Sequence, residues 1–292
     1  MQIVTDSGVD FAPEQLKGIE ISIIPLLVMM NGRTYRSGVD LQTDEFYGML
    51  DASNVFPTTS QPSAGDFAEL YRSLAAKDKD IISIHLSSNL SGTYNSARLG
   101  AEQVPEANIT LVDSRTVSGA LGWVVEAVAK AIKAGWTREE IMPLIKLISD
   151  KTDIVYTIAT LKYLVHGGRI GRVKGLVGSL MDFKPIIGID KGEGINVPKG
   201  QVRTLKKGIL HIAELVSHQY EPGTEMRFQV LSGNNKEGSD ILKERLDQLF
   251  KCHFLETTSI SPVLGAHTGS GLVGLTYGPW EPFAKLPWEK GN

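Results

Sequence analysis

An apolar, β-branched run at residues 81–84 leads into a serine-rich turn and then into a helix-compatible run from Thr93 to about Glu102. A buried strand, a hydroxyl-rich turn and a helix in this order are typical of an α/β protein. The first N–H groups of such a helix have no partner within it, and the helix dipole adds partial positive charge there. Ser91 and Gly92 occupy the predicted N-cap and first turn, and glycine lets a ligand approach the backbone closely. We therefore expect this turn to hold a negatively charged group.

Strand patterns alternate with helical patterns along the first half of the chain. Strands are expected at residues 1–4, 109–113 and 154–159, with one or two more in residues 19–30. Such alternation usually produces parallel βαβ units. The prediction is an α/β fold in which residues 1–160 form a three-layer α/β/α domain with a mainly parallel sheet.

The second half, residues 161–292, is predicted to be a second α/β domain with a mixed sheet. A helix is expected to reach about Leu180, and another at residues 204–219 carries Ile209 and Ile212 on one face. A hairpin turn is predicted at residues 191–194. The glycine-rich segment at residues 265–271 is predicted to be a flexible loop.

Short motifs predict where particular elements begin or turn. Asn31-Gly32 is a hairpin signal. Ser63 with Asp66 has capping-box spacing, as has Thr137 with Glu140, so a helix is expected to begin at each. Thr43 is predicted to cap a short amphipathic helix. Residues 57–63, bounded by proline at or near each end, are predicted to be a polar loop that holds hydroxyl groups in fixed places.

Composition excludes several classes of protein. The chain has 292 residues, which suits one large or two ordinary domains, and its net charge of −3 gives no reason to expect nucleic acid or an anionic membrane as partner. The single cysteine, Cys252, excludes an internal disulfide framework and a cysteine metal cluster. No signal peptide is visible, and the longest apolar runs fall short of the roughly 18 residues of a transmembrane segment. A cytoplasmic location is therefore expected.

Two clusters of hydroxyl side chains each precede a predicted helix. They are Thr58-Thr59-Ser60 and Ser91-Gly92-Thr93, and neither contains the lysine that a P-loop requires. Hydroxyl groups together with helix N–H groups can bind a carboxylate or a phosphate. The simpler interpretation is ordinary helix capping and loop polarity. A site for a small phosphorylated or carboxylate metabolite is another alternative.

His267 is the histidine with the most suggestive neighbours, since Thr268 and Ser270 follow it in a glycine-rich segment. It could donate to an anion, or act as a general base for a serine. A hydrolase of acyl esters using Ser91 and His267 is therefore an alternative function. However, the chain lacks a G-x-S-x-G elbow, and no third residue can be assigned to orient the histidine. A structural or surface histidine is the simpler interpretation.

The basic, glycine-broken turn Gly167-Gly168-Arg169-Ile170-Gly171-Arg172 could bind phosphate or a partner protein, because arginine supplies a fork of donors. It could equally be a solvated helix start, and it lacks dinucleotide-binding spacing. Four aspartates could in principle hold a metal, but nothing pairs them in the sequence, and they are interpreted as cap and turn residues: Asp6, Asp10, Asp40 and Asp113. No metal or cofactor is predicted.

Taken together, these motifs resemble the DegV family, and their order and spacing agree along nearly the whole chain. The segments that carry the resemblance are Thr5-Asp6-Ser7, Thr59-Ser60-Gln61-Pro62, Leu90-Ser91-Gly92-Thr93-Tyr94, Val112-Asp113-Ser114, Gly167-Gly168-Arg169-Ile170 and Gly265-Ala266-His267 with Gly269. The resemblance implies two α/β domains with a long-chain fatty acid, such as palmitate, held between them.

The resemblance also implies roles for individual residues. Thr59 and Ser91 would bind the carboxylate of the fatty acid, supported by Ser60, Gly92 and His267. Some members of the family present the acid to a separate ATP-dependent fatty acid kinase. Arg169 and Arg203 would then serve partner docking or phosphoryl transfer. By this resemblance the protein is a lipid-binding protein without catalytic turnover of its own.

Overall fold

The computed structural model describes residues 1–53, 55–179 and 183–284. The strands are β1 (Gln2–Asp6), β2 (Ser22–Ile24), β3 (Leu27–Met30), β4 (Arg33–Arg36), β5 (Thr58–Ser60), β6 (Asp80–His85), β7 (Asn108–Asp113), β8 (Asp153–Thr157), β9 (Lys184–Ile189), β10 (Asn196–Val202), β11 (Glu225–Ser232), β12 (Lys251–Phe254), β13 (Thr258–Ser259) and β14 (Val273–Pro279). The α-helices are α1 (Thr43–Ala52), α2 (Ala64–Ala75), α3 (Thr93–Ala101), α4 (Ser118–Lys133), α5 (Arg138–Lys151), α6 (Lys162–His166), α7 (Leu205–Gln219), α8 (Lys236–Asp247), α9 (Pro262–Thr268) and α10 (Glu281–Ala284). Two 3-10 helices span Pro13–Leu16 and Gly171–Ser179.

The first sheet is parallel, with strand order β2-β1-β6-β7. Alternate residues of β6 pack on opposite faces, as the period of two in a strand requires. Ile81 packs with Phe67 and Tyr71 of α2, whereas Ile82 and Ile84 belong to the core shared with α4 and α5. Helices therefore cover both faces of this sheet, and the predicted three-layer arrangement is confirmed.

A small antiparallel sheet, β4-β3-β5, packs against the same core. The turn between β3 and β4 is made by Asn31 and Gly32, whose φ angles of 51° and 76° suit a two-residue hairpin. The prediction of a polar loop at residues 57–63 is wrong in part. Thr58 and Thr59 pair with Met29 and Val28, so the hydroxyl cluster lies on the edge strand β5.

The second sheet has the order β10-β9-β8-β14-β11-β12, and β13 also pairs with β11. It is mixed as predicted, because β11 runs parallel to β12 and antiparallel to β14. Helices α7 and α8 pack on one face around Phe228 and Leu275, and the predicted face of α7 with Ile209 and Ile212 is buried there. The central strand β8 belongs to this sheet although it precedes residue 160, the predicted boundary. That boundary stays a prediction.

Most predicted helix starts agree with the structure. The capping boxes of Ser63 and Thr137 form, and Gly135 ends α4 with a φ of 77°. Thr43 was expected at the N-cap of α1, but it is the first helical residue, and Gln42 occupies the cap without a side-chain hydrogen bond.

Two further predictions for the second half need correction. The segment predicted as a flexible loop at residues 265–271 is largely the helix α9, which begins with Pro262 at its first position. The helix predicted to reach Leu180 is a 3-10 helix over Gly171–Ser179, and Leu180 lies outside the described residues. Among the helices that the structure describes, none has the length and apolarity to cross a lipid bilayer.

Candidate ligand-binding site

A cavity lies between the two larger sheets, and elements of both halves of the chain line it. The space between its walls is about 750 Å³, part of it open to solvent. Aliphatic side chains form most of the wall: Leu26, Leu86 and Val117 from the first half, and Leu231, Ile260 and Leu272 from the second. The cavity is therefore suited to an apolar ligand.

One end of the cavity is polar and brings together three of the predicted site residues. Thr59, Ser91 and His267 all line it, together with Arg169. Of the lining residues that the structure describes, Arg169 is the one that carries a formal charge, since His267 is neutral and none is a carboxylate. This end thus offers hydroxyl groups, an imidazole and a cation, a combination that favours a ligand with one negatively charged end.

The turn after β6 positions Ser91. The Ser91 N–H donates to the Ser87 carbonyl, and Ser91 Oγ lies 2.8 Å from Thr93 Oγ1. Gly92 is the N-cap of α3 without a side-chain cap, so the first N–H groups of that helix lack acceptors within it.

Gly92 brings the two hydroxyl clusters together, although it does not line the cavity. A Cβ at this position would lie 3.1 Å from the Gln61 amide, so the glycine allows the segment after β5 to approach α3. Ser60 is also absent from the lining, since successive residues of a strand point to opposite sides and Thr59 takes the cavity side. The supporting roles of both residues in binding stay predictions.

His267 is joined to Thr59 across 208 residues of chain. Its Nε2 lies 2.8 Å from Thr59 Oγ1, while its Nδ1 is buried without a hydrogen-bond partner among the described residues. Burial, followed by the charges of Arg169 and His166, lowers the pKa of His267 to about 4. The imidazole is therefore neutral at physiological pH.

Gly167 makes room for this imidazole. A Cβ built on Gly167 would lie 2.0 Å from His267 Nδ1 and 2.6 Å from Cε1, so any other residue would displace the ring. The basic turn predicted from the sequence therefore packs directly against the histidine.

Arg169 is held by the turn that carries Ser91. Its Nε donates to the Leu90 carbonyl at 3.0 Å, and its Nη1 donates to the Gly167 carbonyl at 2.6 Å. The Arg169 carbonyl accepts a hydrogen bond from Asn196 Nδ2, and Tyr156 Oη donates to Asn196 Oδ1. The guanidinium lies in the lining of the cavity, and its predicted role in partner docking or phosphoryl transfer stays a prediction.

Arg203 lies elsewhere. It is exposed between β10 and α7 and does not line the cavity. The structure therefore separates the two arginines that the family resemblance grouped together.

The sequence did not reveal a row of buried polar residues beneath the site. Tyr71, Ser83, His85 and Asp6 are linked by hydrogen bonds of 2.8, 2.7 and 2.9 Å, and all four are fully buried. Asp6 also accepts from the N–H of Leu86, where the turn toward Ser91 begins. A serine and a histidine alternating in an otherwise apolar strand are the signal that could have found this row.

Asp10 is a second buried carboxyl near the cavity. Its oxygens accept from Ser118 Oγ at 2.6 Å and from the Ser261 N–H at 2.9 Å. Burial raises the pKa of Asp10 to about 6, against the opposing effect of these hydrogen bonds. Asp10 thus joins α4, whose Ser118 lines the cavity, to the start of α9.

The other predicted turn aspartates have surface roles. Asp113 accepts from Ser88 and from the Arg115 N–H, while Asp40 pairs with Arg36. In the described part of the chain, no group of three or more histidine, cysteine or acidic residues could hold a metal ion. The prediction that the protein needs no cofactor stays a prediction.

The hydrolase alternative requires a serine beside the histidine, and the geometry does not provide it. Ser91 Oγ bonds to Thr93, and His267 bonds to Thr59. The row of Ser83, His85 and Asp6 has the order of a catalytic triad, but all three side chains are sealed from solvent and from the cavity. The buried row therefore cannot reach an ester, and Ser91 and His267 line the cavity without a hydrogen bond to each other.

Comparisons with known proteins now decide the family. A family model described as "Uncharacterised protein, DegV family" matches residues 1–279. The chain belongs to the DegV family. A DegV domain-containing protein of Staphylococcus aureus (strain N315) is 34% identical over 279 residues, which cover 94% of this chain and 96% of that protein.

Solved DegV structures share the fold. One of them shows the fatty acid binding of a DegV family protein from Thermus thermophilus. That protein is 28% identical to this chain, with a TM-score of 0.85 over 95% of this chain and 99% of the other. The Fak B3 protein of the Streptococcus pneumoniae fatty acid kinase, loaded with linoleic acid, is 23% identical, with a TM-score of 0.79 over 95% and 99%. The second likeness concerns the fold alone.

Proposed function

We propose that this DegV protein binds a long-chain fatty acid, with the carboxylate near Thr59, Ser91 and His267 and the acyl chain in the apolar cavity. The observation that carries the proposal is the composition of the cavity: aliphatic walls, and one polar end with a cation and no carboxylate among the described residues. The Thermus thermophilus relative, described as a fatty-acid-binding protein, supports the same ligand.

The two ends of such a ligand contribute differently to binding. Burial of the chain gains roughly 0.8 kcal/mol per CH₂ group, so a long acyl chain supplies most of the binding free energy. The carboxylate loses its hydration on entering the protein and needs donors in its place. Hydroxyl groups and the Arg169 guanidinium supply these donors. The polar end therefore selects an acid over a hydrocarbon and fixes its orientation.

The first experiment is to extract the denatured protein with organic solvent and identify the ligand by mass spectrometry. A long-chain fatty acid at about one per chain is expected. An empty extract, followed by failure of the protein to take up added palmitate, would overturn the proposal. It would return the two hydroxyl clusters to the alternative of a site for a small phosphorylated or carboxylate metabolite.

Ser91→Ala gives the matching test of the polar end. It removes one hydroxyl donor, and palmitate should bind about 1–3 kcal/mol more weakly, the scale for a hydrogen bond to a charged group. Ser88→Ala is the control in the same turn, because Ser88 is exposed and bonds to Asp113 rather than lining the cavity. Equal affinities of Ser91→Ala and the wild type would show that the carboxylate lies elsewhere.

We further propose that the bound acid is presented to a separate ATP-dependent kinase. The proposal is supported by the family resemblance and by the shared fold of the Streptococcus pneumoniae protein, which is named as the B3 protein of a fatty acid kinase. The test is phosphorylation of bound palmitate by an added bacterial fatty acid kinase and ATP. Arg203→Ala should reduce this phosphorylation without changing palmitate affinity, because Arg203 is exposed and outside the lining. No phosphorylation with any such kinase would contradict the proposal. The cytoplasmic location stays a prediction.

A further inference from the structure

The direction of β8 shows which end of the cavity lies away from the polar site. Ile154 and Tyr156 line the cavity from the same face of this strand. Tyr156 reaches Arg169 through Asn196 and so lies toward the polar end. Ile154 comes two residues earlier, about 7 Å further along the strand. Ile154 therefore stands on the side away from Ser91 and His267.

Ile154 also lines a second, separate cleft. This cleft lies at the start of β8 and has a space of about 720 Å³, again partly open to solvent. Thr116, Ala120 and Ile189 line it together with Ile154, whereas Val117 and Ser118 line the cavity instead. Ile154 belongs to both linings and is therefore part of the partition between the two spaces.

The cleft differs from the cavity in its chemistry. Its walls carry three cations and three carboxylates: Arg115, Lys146, Lys191, Asp113, Asp150 and Asp153. Lys146 pairs with Asp150 at 2.5 Å and Lys191 with Asp153 at 3.1 Å, while Arg115 Nη1 donates to the Gly192 carbonyl. A methyl end of a ligand gains nothing from such a surface, but a polar end would find both hydration and counter-charges there.

We propose that Ile154 is the residue that limits the length and the chemistry of the ligand's far end. The inference rests on the proposed function, because it assigns the tail of a bound fatty acid to this partition. A saturated tail ends against Ile154 in the wild-type protein. A second carboxylate at the tail would be buried in an apolar pocket without a partner, so α,ω-dicarboxylic acids are rejected.

Shortening Ile154 should open the cavity into the polar cleft. Ile154→Ala removes three carbon atoms from the partition, and a fatty acid two methylenes longer than the wild-type optimum should bind about tenfold more tightly than it binds the wild type. Discrimination between palmitic and hexadecanedioic acid should fall by about tenfold or more, because the second carboxylate can now reach the cleft. Leu272→Ala is the matched control, since Leu272 lines the cavity but not the cleft. It should leave the discrimination against the diacid unchanged.

The experiment is displacement of a fluorescent fatty acid from the delipidated full-length protein by saturated acids of twelve to twenty-two carbons and by hexadecanedioic acid. Ile154→Val accompanies Ile154→Ala, because the smaller change preserves folding and should give a shift in the same direction. The inference would be overturned if the wild type binds these acids and both Ile154 variants keep its length profile and its discrimination against the diacid. The same change in Leu272→Ala would also overturn it. Failure of the wild type to bind any of the acids would instead overturn the proposed function.

Discussion

Two histidines lie beside hydroxyl groups, the fully buried His85 and the half-buried His267, and they differ in how completely their ring nitrogens are bonded. His85 bonds through both nitrogens, to Asp6 and to Ser83, and is fully buried. His267 bonds to Thr59 through one nitrogen, leaves the other without a partner among the described residues, and lines the cavity. The cluster around His85 has the serine, histidine and aspartate order of a catalytic triad, but no ligand can reach it. A complete, sealed network stabilises the fold, and an incomplete one beside a cavity is the better candidate for binding.

The largest expected effect is on stability and distinguishes the two histidines. His85→Ala should lower the free energy of unfolding by about 3–5 kcal/mol, because it leaves a cavity and an Asp6 carboxyl that has lost a buried partner. Urea denaturation measures this value. His267→Ala should cost clearly less, since its ring faces the cavity and has one hydrogen bond. Equal losses in the two variants would show that the two clusters do not differ in the way proposed.

The second effect is a pH dependence of stability that arises from the cavity histidine. The pKa of His267 is lowered from 6.5 to about 4 in the folded protein, so between these values the unfolded chain binds a proton that the folded protein does not. Its contribution to stability is therefore present above pH 6.5 and is lost as pH falls toward 4, by roughly 3 kcal/mol.

Asp10 acts in the opposite direction, so the measurement must be a difference. The raised pKa of Asp10, about 6, adds stability as pH falls from 6 toward 4. The free energy of unfolding of the wild type and of His267→Gln is measured by urea denaturation across pH 4 to 8. Subtracting one curve from the other cancels the Asp10 contribution, which both proteins share. The difference between the two curves should shrink as pH falls. A difference that stays constant with pH would contradict the assignment to His267.

A third test disturbs the cavity histidine without changing it. Gly167→Ala places a methyl group where the His267 ring lies. Palmitate affinity should therefore fall about tenfold, and the free energy of unfolding should fall by about 1–3 kcal/mol. Isothermal titration and urea denaturation give the two values. Gly48→Ala in α1 is the control, because its new Cβ meets nothing within 4 Å and helix propensity favours alanine. An unchanged affinity in Gly167→Ala would mean that the position of the ring does not matter for binding.

The smallest effects separate two neighbours in one strand. Thr59→Val keeps the shape of the side chain but removes its hydroxyl, and palmitate should bind about 1–3 kcal/mol more weakly, with little change in unfolding. Ser60→Ala should change palmitate affinity by less than about 0.5 kcal/mol, because Ser60 does not line the cavity. A loss in Ser60→Ala as large as in Thr59→Val would restore the supporting role that the family resemblance implied for Ser60.

Local signals in the sequence predicted local structure well. The capping boxes, the Asn31-Gly32 hairpin and the helix ended by Gly135 all depend on residues a few positions apart, and all are confirmed. The loop predicted around His267 is wrong because its glycines suggest a loop more strongly than Ser261-Pro262 suggests the helix start that forms there. The strand β5 was missed because prolines flank it and its partner β3 lies some 30 residues earlier.

Contacts between distant parts of the chain could not be predicted from the residues alone. The sequence identified Thr59, Ser91 and His267 as site candidates, but only the fold shows that Thr59 meets His267 and that Ser91 does not. The family resemblance gave Arg169 and Arg203 the same role, yet one lines the cavity and the other is exposed. The partition at Ile154 depends on how two sheets and α4 meet, which no short motif encodes.

The hydrogen bond between Thr59 and His267 spans 208 residues and has a consequence for synthesis. Because a chain emerges from the ribosome N-terminus first, β5 and the Ser91 turn are made long before α9. The polar end of the cavity is completed only when α9 has been translated. A nascent chain that lacks α9 therefore holds Thr59 and Ser91 without the imidazole that bonds to Thr59 in the folded protein.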